Sequence, residues 1–282
     1  ESKDYGFNLS YRKKVGQHLR LTGGADFYGR ASVKAKNVYN TYDSDLDPSG
    51  NLVESIEEWP FTQGDRKDLG LFFSADYSGL KNLDLVGGVR WDFLRLKALQ
   101  GDTPPAQRRD YSTWTGFLGF SFKIREEIIA FANLSKAYRA PGPSELFYTG
   151  ITGRGMIISQ PGLKPETSRN LDGGLKFIFK RWFLGLYSFY YEIDDLIERY
   201  LLDPAQRIYT YGNIDQGKIN GYEVELEYYP LQGWKIFGNF LSFTGKSKIT
   251  ENPLNDIPAQ RIYFGTRLWI GRFSTEINTT LQ

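Results

Sequence analysis

The sequence alternates between apolar and polar residues over many short stretches. The clearest of them has large apolar residues at every second position with glutamates between them: Tyr222, Glu223, Val224, Glu225, Leu226, Glu227 and Tyr228. Because side chains point to opposite sides along a β-strand, such a stretch forms a strand with one apolar and one polar face. Twelve stretches of this kind follow one another from Tyr5 to Gln282, so the sequence predicts an all-β, antiparallel fold.

Composition excludes several other classes of protein. Aromatic residues make up 16% of the chain and mean hydropathy is −0.44. No charge-free run approaches the ~18–20 residues that a membrane helix needs, so a helical membrane protein is excluded. A membrane β-barrel is not excluded, because only alternate residues of its strands contact lipid and the mean hydropathy stays low. The absence of cysteine excludes a disulfide scaffold, and a net charge of +2 gives no reason to expect a nucleic-acid partner.

Short and long connections alternate between the predicted strands. Tight turns are predicted near residues 14, 80, 125, 180, 231 and 271, and longer connections at 30–65, 99–110, 140–166, 202–208 and 247–258. Outer-membrane barrels have short turns at one end and long loops at the other, whereas the connections of a soluble β-sandwich need not sort in this way. The pattern therefore predicts an antiparallel transmembrane β-barrel.

Aromatic residues support the same prediction. Six are expected near strand ends on the short-turn side: Trp91, Trp182, Tyr228, Tyr229, Trp234 and Trp269. Trp and Tyr are enriched where a membrane protein meets the membrane surface. The alternation also predicts which residues face lipid: Trp91, Leu171, Leu175, Phe177, Val224 and Leu226. It predicts that the barrel lumen is faced by Asp172, Lys176, Glu223 and Glu225.

Several short motifs resemble one family. Residues 138–141 (Tyr-Arg-Ala-Pro), 145–147 (Glu-Leu-Phe) and 161–167 (Pro-Gly-Leu-Lys-Pro-Glu-Thr) are similar to a signature of TonB-dependent outer-membrane receptors. Further matches follow in the family's order at residues 190–197, 211–214, 221–225 and 257–261. One departure is Gln160, where the family usually has Asn.

The resemblance implies a fold and a set of boundaries. Residues 1–282 would form part of a 22-stranded barrel, about strands 8–19 of it, without the plug domain that fills the lumen in this family. Seven strands would then precede the chain and three would follow it.

The resemblance also implies a function. Members of the family bind a scarce extracellular solute and import it with energy that the TonB–ExbB–ExbD complex supplies through the plug and its TonB box. We therefore expect an outer-membrane transporter of a Gram-negative bacterium and not an enzyme, in contact with outer-membrane lipid and a small metal chelate. A ferric siderophore is the favoured solute, with cobalamin, another TonB-dependent substrate or a passive channel as alternatives. A barrel enzyme and a soluble β-sheet binding module are the alternatives from other classes.

Haem is disfavoured as the ligand. Haem receptors that resemble this chain have an axial histidine in the loop between the two main motifs, and residues 142–160 contain none. Tyr148 and Met156 are other residues that can bind haem iron, so the exclusion is incomplete. No catalytic set is evident either, because the one histidine, His18, lies on a polar strand face without a recognisable nucleophile.

Two groups of residues are candidate sites. Loop residues Arg139, Tyr148, Arg154 and Gln160 are candidate ligand contacts, because Arg pairs with chelate oxygens and Tyr offers a flat surface with a polar tip. An acidic stretch has carboxylates at calcium-loop spacing: Asp43, Asp45, Asp47 and Glu54. Pro48 stands where an EF-hand needs glycine, so a solvated acidic turn is the alternative to a calcium site.

Overall fold

The computed structural model describes residues 2–42, 52–100, 103–254 and 257–282, which form one large antiparallel sheet. Its elements in chain order are β1 (Lys3–Val15), β2 (Leu19–Tyr42), β3 (Leu52–Leu80), β4 (Leu83–Gln100), β5 (Thr103–Arg125), β6 (Ile128–Arg139), α1 (Pro143–Phe147), β7 (Gly150–Thr152), β8 (Gly155–Ile158), β9 (Glu166–Ile178), β10 (Trp182–Asp203), β11 (Ile208–Leu231), β12 (Trp234–Ser247), β13 (Arg261–Ile270) and β14 (Phe273–Leu281). Each long strand pairs with the next, in the order β1 to β6 and then β9 to β14. Within the described residues, β1 pairs only with β2 and β14 only with β13, so the sheet is open.

The twelve predicted strands are confirmed as β1–β6 and β9–β14, and the six predicted tight turns connect them in pairs. The turns leave only two or three residues between paired strands, for example between β3 and β4 or between β13 and β14. Gly233 and Gly271 adopt φ of +81° and +61° in two of these turns, a conformation that favours glycine. All six tight turns therefore lie at one end of the sheet, and the long connections at the other.

Two of the predicted long loops are wrong. Strands β2 and β3 stay paired as far as Tyr42 and Leu52, and β4 and β5 as far as Gln100 and Thr103. The connection predicted at 202–208 is likewise shortened to residues 204–207. These hairpins continue beyond the length that a bilayer requires, about nine to eleven residues. Their outer face no longer meets lipid there, so pairing continues without the outward apolar residues that identify a membrane strand in the sequence. The inner face of β4 stays apolar in this part, with Leu94, Leu96 and Ala98 buried.

The two faces of the sheet differ as predicted. One face presents the residues expected to contact lipid, and the exposed fraction of Trp91 and Leu171 is 48% and 47%. The opposite face is polar, and its side chains bond across strands: Asn133 donates to Asp172 at 3.4 Å and Tyr187 donates to Glu225 at 3.1 Å. The loop that follows β6 packs on this polar face, which is therefore the inner face of the barrel wall.

The predicted depth of Trp91 is wrong. It lies eight residues beyond Leu83, the first residue of β4, and pairs with Trp114 on β5. Eight residues cover about 27 Å along the strand, which at a tilt of about 35–45° is roughly 20 Å along the membrane normal, most of the ~25 Å height of the apolar band. Trp91 and Trp114 therefore mark the edge of that band nearest the long loops. Trp182 and Trp234 each begin a strand after a tight turn, as predicted.

Candidate ligand-binding site

The segment 140–166 folds back onto the inner face of the sheet. Pro143 begins the five-residue helix α1, and the Glu145 carboxylate accepts the Gly142 amide at 2.6 Å to cap its start. Leu146 and Phe147 are fully buried, and they pack in one cluster with the segment's own Leu163. The same cluster contains the apolar positions of the inner face of β4: Leu94, Leu96 and Ala98. The segment is therefore a packed element that covers part of the lumen wall. No helix in the described part of the chain is long and apolar enough to cross a membrane.

Arg139 closes the base of this segment. Its guanidinium donates two parallel hydrogen bonds to Glu166, at 2.7 and 2.8 Å, and a further pair to Glu145, at 3.0 and 3.1 Å. Glu166 also accepts the backbone amide of Ile197 on β10 at 2.7 Å. One arginine therefore joins the end of β6, helix α1 and the start of β9. With two carboxylates and one guanidinium, this group has a net charge of −1.

The far side of the segment is bound to neighbouring strands. Tyr111 on β5 donates to the carbonyl of Leu163 at 2.8 Å. Asn213 on β11 accepts the Lys164 amide at 2.8 Å and donates back to the Lys164 carbonyl at 3.0 Å. Residues 156–158 of β8 pair in parallel with residues 208–210 of β11. The segment is thus held to strands on both sides of β9.

The four residues predicted to contact a ligand do not form one group. Arg139 is engaged by its two carboxylates, and Arg154 is exposed in the turn between β7 and β8. Tyr148 packs against the buried cluster, and its hydroxyl donates to the carbonyl of Ile151 at 3.1 Å. The side-chain oxygen of Gln160 accepts the Gly162 amide at 3.4 Å. The direct contact of these residues with a ligand stays a prediction.

The predicted calcium site falls largely outside the described residues. Asp43, Asp45 and Asp47 are not among them, and Glu54 is an exposed residue near the start of β3. Over residues 2–42, 52–100, 103–254 and 257–282, no group of three or more histidine or carboxylate side chains is arranged to hold a metal ion. Calcium binding by the acidic stretch stays a prediction.

The sequence did not indicate a cavity on the inner wall that combines charged and aromatic lining residues. Its volume is about 890 Å³, and its lining includes Asp26, Tyr28, Asp68, Arg90, Asp92 and Tyr138. Arg90 on β4 donates to both carboxylate oxygens of Asp26, at 2.6 and 2.8 Å, and to Asp92 at 2.7 Å. Asp92 immediately precedes Leu94 along the inner face of β4, so the cavity lies just below the cluster that anchors segment 140–166.

The cavity offers both charge and flat aromatic surface. Arg66 donates to Asp68 at 2.7 Å beside the Asp26–Arg90–Asp92 group, and three carboxylates face two guanidinium groups. The alternation in the sequence does place these residues on polar strand faces, but it does not indicate that residues from β2, β3 and β4 meet. Such a lining can hold a polar solute by hydrogen bonds and stacking.

These features together define the wall of an outer-membrane β-barrel: an apolar outer face, a polar inner face, tight turns at one end and an inward-folded segment at the other. The sequence profile described as "TonB dependent receptor-like, beta-barrel" matches residues 1–280. The chain belongs to this family, and it is a bacterial outer-membrane protein. No curated protein sequence matches it at a significant level.

Solved structures of the same fold are distant in sequence. The copper transporter OprC has a TM-score of 0.77 and 19% identity, and the match covers 97% of this chain and 41% of that one. A double mutant of the Serratia marcescens hemophore receptor HasR, in complex with its hemophore HasA and heme, has a TM-score of 0.72 and 16% identity over 98% of this chain and 51% of its own. The ferric-catecholate import receptor Fiu from E. coli K12 has a TM-score of 0.69 and 15% identity, and the match covers 98% of this chain and 43% of Fiu. The chain thus spans about half or less of the length of these structures.

Proposed function

We propose that this chain forms part of an outer-membrane receptor that binds a scarce extracellular solute, a ferric siderophore in the first place, and imports it with energy supplied through TonB. The observation that supports this most is the cavity with a charged group in its lining, on the inner wall directly below the packed segment 140–166. A solute that enters from the long-loop end would meet this segment and then the cavity.

The chemistry of the cavity suits a metal chelate. Arg90 lies in the lining, and its guanidinium is a donor for the carboxylate, catecholate or hydroxamate oxygens of a chelate, which would take the place of one of its aspartate partners. Tyr28 and Tyr138 offer flat contact surfaces. The similar structures include a copper transporter, a hemophore receptor and a ferric-catecholate receptor, and each of these solutes contains a metal. Arg154 and Gln160, at the more exposed part of the segment, are proposed as the first contacts.

The proposal includes the rest of the machinery. Residues 1–282 are proposed to be about strands 8–19 of a 22-stranded barrel, with a plug domain elsewhere in the protein. The TonB–ExbB–ExbD complex would act on that plug, and the apolar outer face would contact outer-membrane lipid. The inner-wall charges would then face the plug as well as the solute.

Uptake by whole cells tests the proposal. The full-length protein is expressed in a bacterium that lacks its own siderophore and cobalamin receptors, with and without a functional TonB. The cells are offered radioactive iron bound to a panel of catecholate, hydroxamate and carboxylate siderophores, or radioactive cobalamin. We expect iron to accumulate from one siderophore class, and only when TonB is present.

Two outcomes would contradict the proposal in different ways. Equal accumulation without TonB would indicate a passive channel. Accumulation of cobalamin alone would keep active import and replace the siderophore as the solute.

A further inference from the structure

A row of charged side chains crosses the outer face of five neighbouring strands. Each member is the direct cross-strand partner of the next, from β6 through β9, β10 and β11 to β12: Lys136, Arg169, Glu192, Lys218 and Lys246. Adjacent strands are about 4.8 Å apart, so the row extends over roughly 19 Å. It is continuous, because the pairing between these strands shows no register shift at these positions.

The row lies at the upper edge of the lipid-facing surface. Two residues closer to the tight turns, the same face presents Leu134 paired with Leu171, whose exposed fractions are 55% and 47%. Tyr190 continues that lower row on β10. Since long loops of outer-membrane barrels are extracellular, the charged row lies at the headgroup level of the outer leaflet.

The charges of the row do not balance. Lys136 stands opposite Arg169, and Lys218 stands opposite Lys246, and like charges directly opposite each other destabilise a sheet. Within the part of the chain that the structure describes, none of these four side chains forms an ion pair.

The one acid of the row is already engaged. Glu192 accepts hydrogen bonds from Lys248 at 2.7 Å and from Tyr190 at 2.9 Å. The hydrogen bond to Glu192 raises the pKa of Lys248, which therefore stays protonated at neutral pH. Asp194, two residues further along β10, also acts on Lys248. Five positive charges therefore stand against two negative ones, and an external anion would relieve the remaining repulsion.

An apolar groove opens directly below the basic side chains. Its volume is about 470 Å³, and Leu118, Leu134 and Leu171 line it together with Trp114, Lys136 and Arg169. The Lys136 ammonium lies 3.9 Å from the centre of the Trp114 ring, so it is held at the mouth of the groove. A groove of this kind matches a molecule with an anionic head and an apolar tail.

We propose that this surface binds a phosphorylated lipid of the outer leaflet, with its phosphate groups on the basic row and an acyl chain in the groove. Arg169 supplies a guanidinium fork suited to phosphate oxygens, and Lys218 and Lys246 supply point charges at the other end of the row. A lipid with two phosphates on one headgroup fits a row of this length better than a lipid with one. Bound lipid would fix the height of the barrel wall beside segment 140–166.

Binding of lipid A to the full-length protein tests the proposal. The protein is purified in a non-ionic detergent, and its affinity for bis-phosphorylated lipid A is measured by native mass spectrometry and by titration. The double variant R169Q/K218Q removes two charges from the row. The control variant K180Q/R181Q removes two exposed charges from the turn between β9 and β10, at the opposite end of the wall. A charge-preserving variant, K218R/K246R, tests whether lipid binding depends on the positive charges and not on the shape of the lysine side chains.

We expect R169Q/K218Q to bind lipid A about tenfold or more weakly, while the control and charge-preserving variants stay within about twofold of the wild type. Dephosphorylated lipid A should bind the wild type as weakly as lipid A binds R169Q/K218Q. Retention of the heat-modifiable band in electrophoresis shows that each variant is folded. Equal affinity of folded R169Q/K218Q and wild type, or equal binding of dephosphorylated lipid, would overturn the proposal. So would displacement of lipid A by inorganic phosphate at the same concentration, because the site would then be one for free phosphate.

Discussion

Arg139, the last residue of β6, and Glu166, the first residue of β9, are cross-strand partners joined by two hydrogen bonds of 2.7 and 2.8 Å. The 26 residues between them form the segment that covers the inner wall. Glu166 also accepts the Ile197 amide, so the pair attaches the base of the segment to β10. The pair therefore joins both ends of the segment to each other and to the barrel wall.

Glu166→Gln should loosen the segment without unfolding the wall. The substitution keeps the shape of the side chain but removes its charge, and an ion pair with an arginine that is 47% exposed contributes about 1 kcal/mol. That corresponds to a roughly fivefold larger population of the open segment. Limited trypsin digestion of the full-length protein should therefore cleave faster after Arg154, the exposed arginine of the segment.

Glu126→Gln, in the tight turn before β6, is the control for this prediction and should not change the cleavage rate. Unchanged cleavage of Glu166→Gln would show that the buried cluster alone holds the segment.

Asn213→Ala should release the other side of the segment. The Asn213 side chain exchanges two hydrogen bonds with the backbone of Lys164, and it donates to the carbonyl of Asp195 at 2.7 Å. Asp195 lies in a bulge of β10 with φ of +56°, where the strand's own pairing is interrupted. Loss of these bonds should cost about 1–2 kcal/mol locally.

Hydrogen exchange reports this loss directly. The Lys164 amide donates to the Asn213 side chain, so its exchange should speed up by about tenfold in Asn213→Ala. Amides in the centre of β9 should not change. Asn252→Ala, in the loop after β12, serves as the matched control. Equal exchange of Lys164 in the wild type and in Asn213→Ala would mean that the amide is protected by burial and not by Asn213.

Val224→Arg and Glu225→Arg should have opposite outcomes, although the residues are neighbours. Val224 lies on the apolar outer face between Leu186 and Phe240, and Glu225 lies on the polar inner face beside Tyr187. An arginine that faces lipid near the bilayer midplane costs about 2–4 kcal/mol, whereas one that faces the lumen stays hydrated. The fraction of protein that reaches the heat-modifiable folded band, assembled into lipid vesicles, measures the difference. Equal folded fractions for the two variants would contradict the assignment of the faces.

Much of the wall could be predicted because membrane strands have a strict two-residue period. The alternation around Val224 and Glu225 identifies both the strand and its two faces. The same signal is lost where strands leave the membrane: β2 continues to Tyr42 without large apolar residues at every second position, so its sequence resembles a loop. The depth of Trp91 could not be predicted, because an aromatic residue signals an interface but does not indicate which of the two it is.

The candidate site was harder to predict, because its contacts join residues far apart in sequence. Arg139 is a reasonable ligand contact when read alone, and only the fold brings Glu145 and Glu166 to it. Arg90 likewise occupies an ordinary polar position on its strand. Its bidentate partner Asp26 is 64 residues away, and no local pattern links the two.

Gly70→Ala should act on stability through Arg90. Gly70 is the cross-strand partner of both Asp26 and Asp92, and the Arg90 guanidinium lies directly over it. A Cβ at position 70 would overlap that guanidinium, so Arg90 must move away and lose its bonds to Asp26. Hydrogen bonds between charged groups contribute about 1.5–3 kcal/mol, and Arg90 is 33% exposed, so we expect Gly70→Ala to lower the free energy of unfolding by about 1–2 kcal/mol.

Arg90→Gln should have the same effect, because it removes the same bonds. The double variant G70A/R90Q should then be no less stable than R90Q alone, since the guanidinium that the added Cβ would displace is already gone. Urea denaturation in detergent measures the three variants, with Gly238→Ala as a control at a strand glycine where a Cβ meets only ordinary contacts at 3.5 and 3.7 Å. Additive losses in the double variant would show that Gly70 is required for another reason, such as close approach of the backbone, and that its role is independent of Arg90.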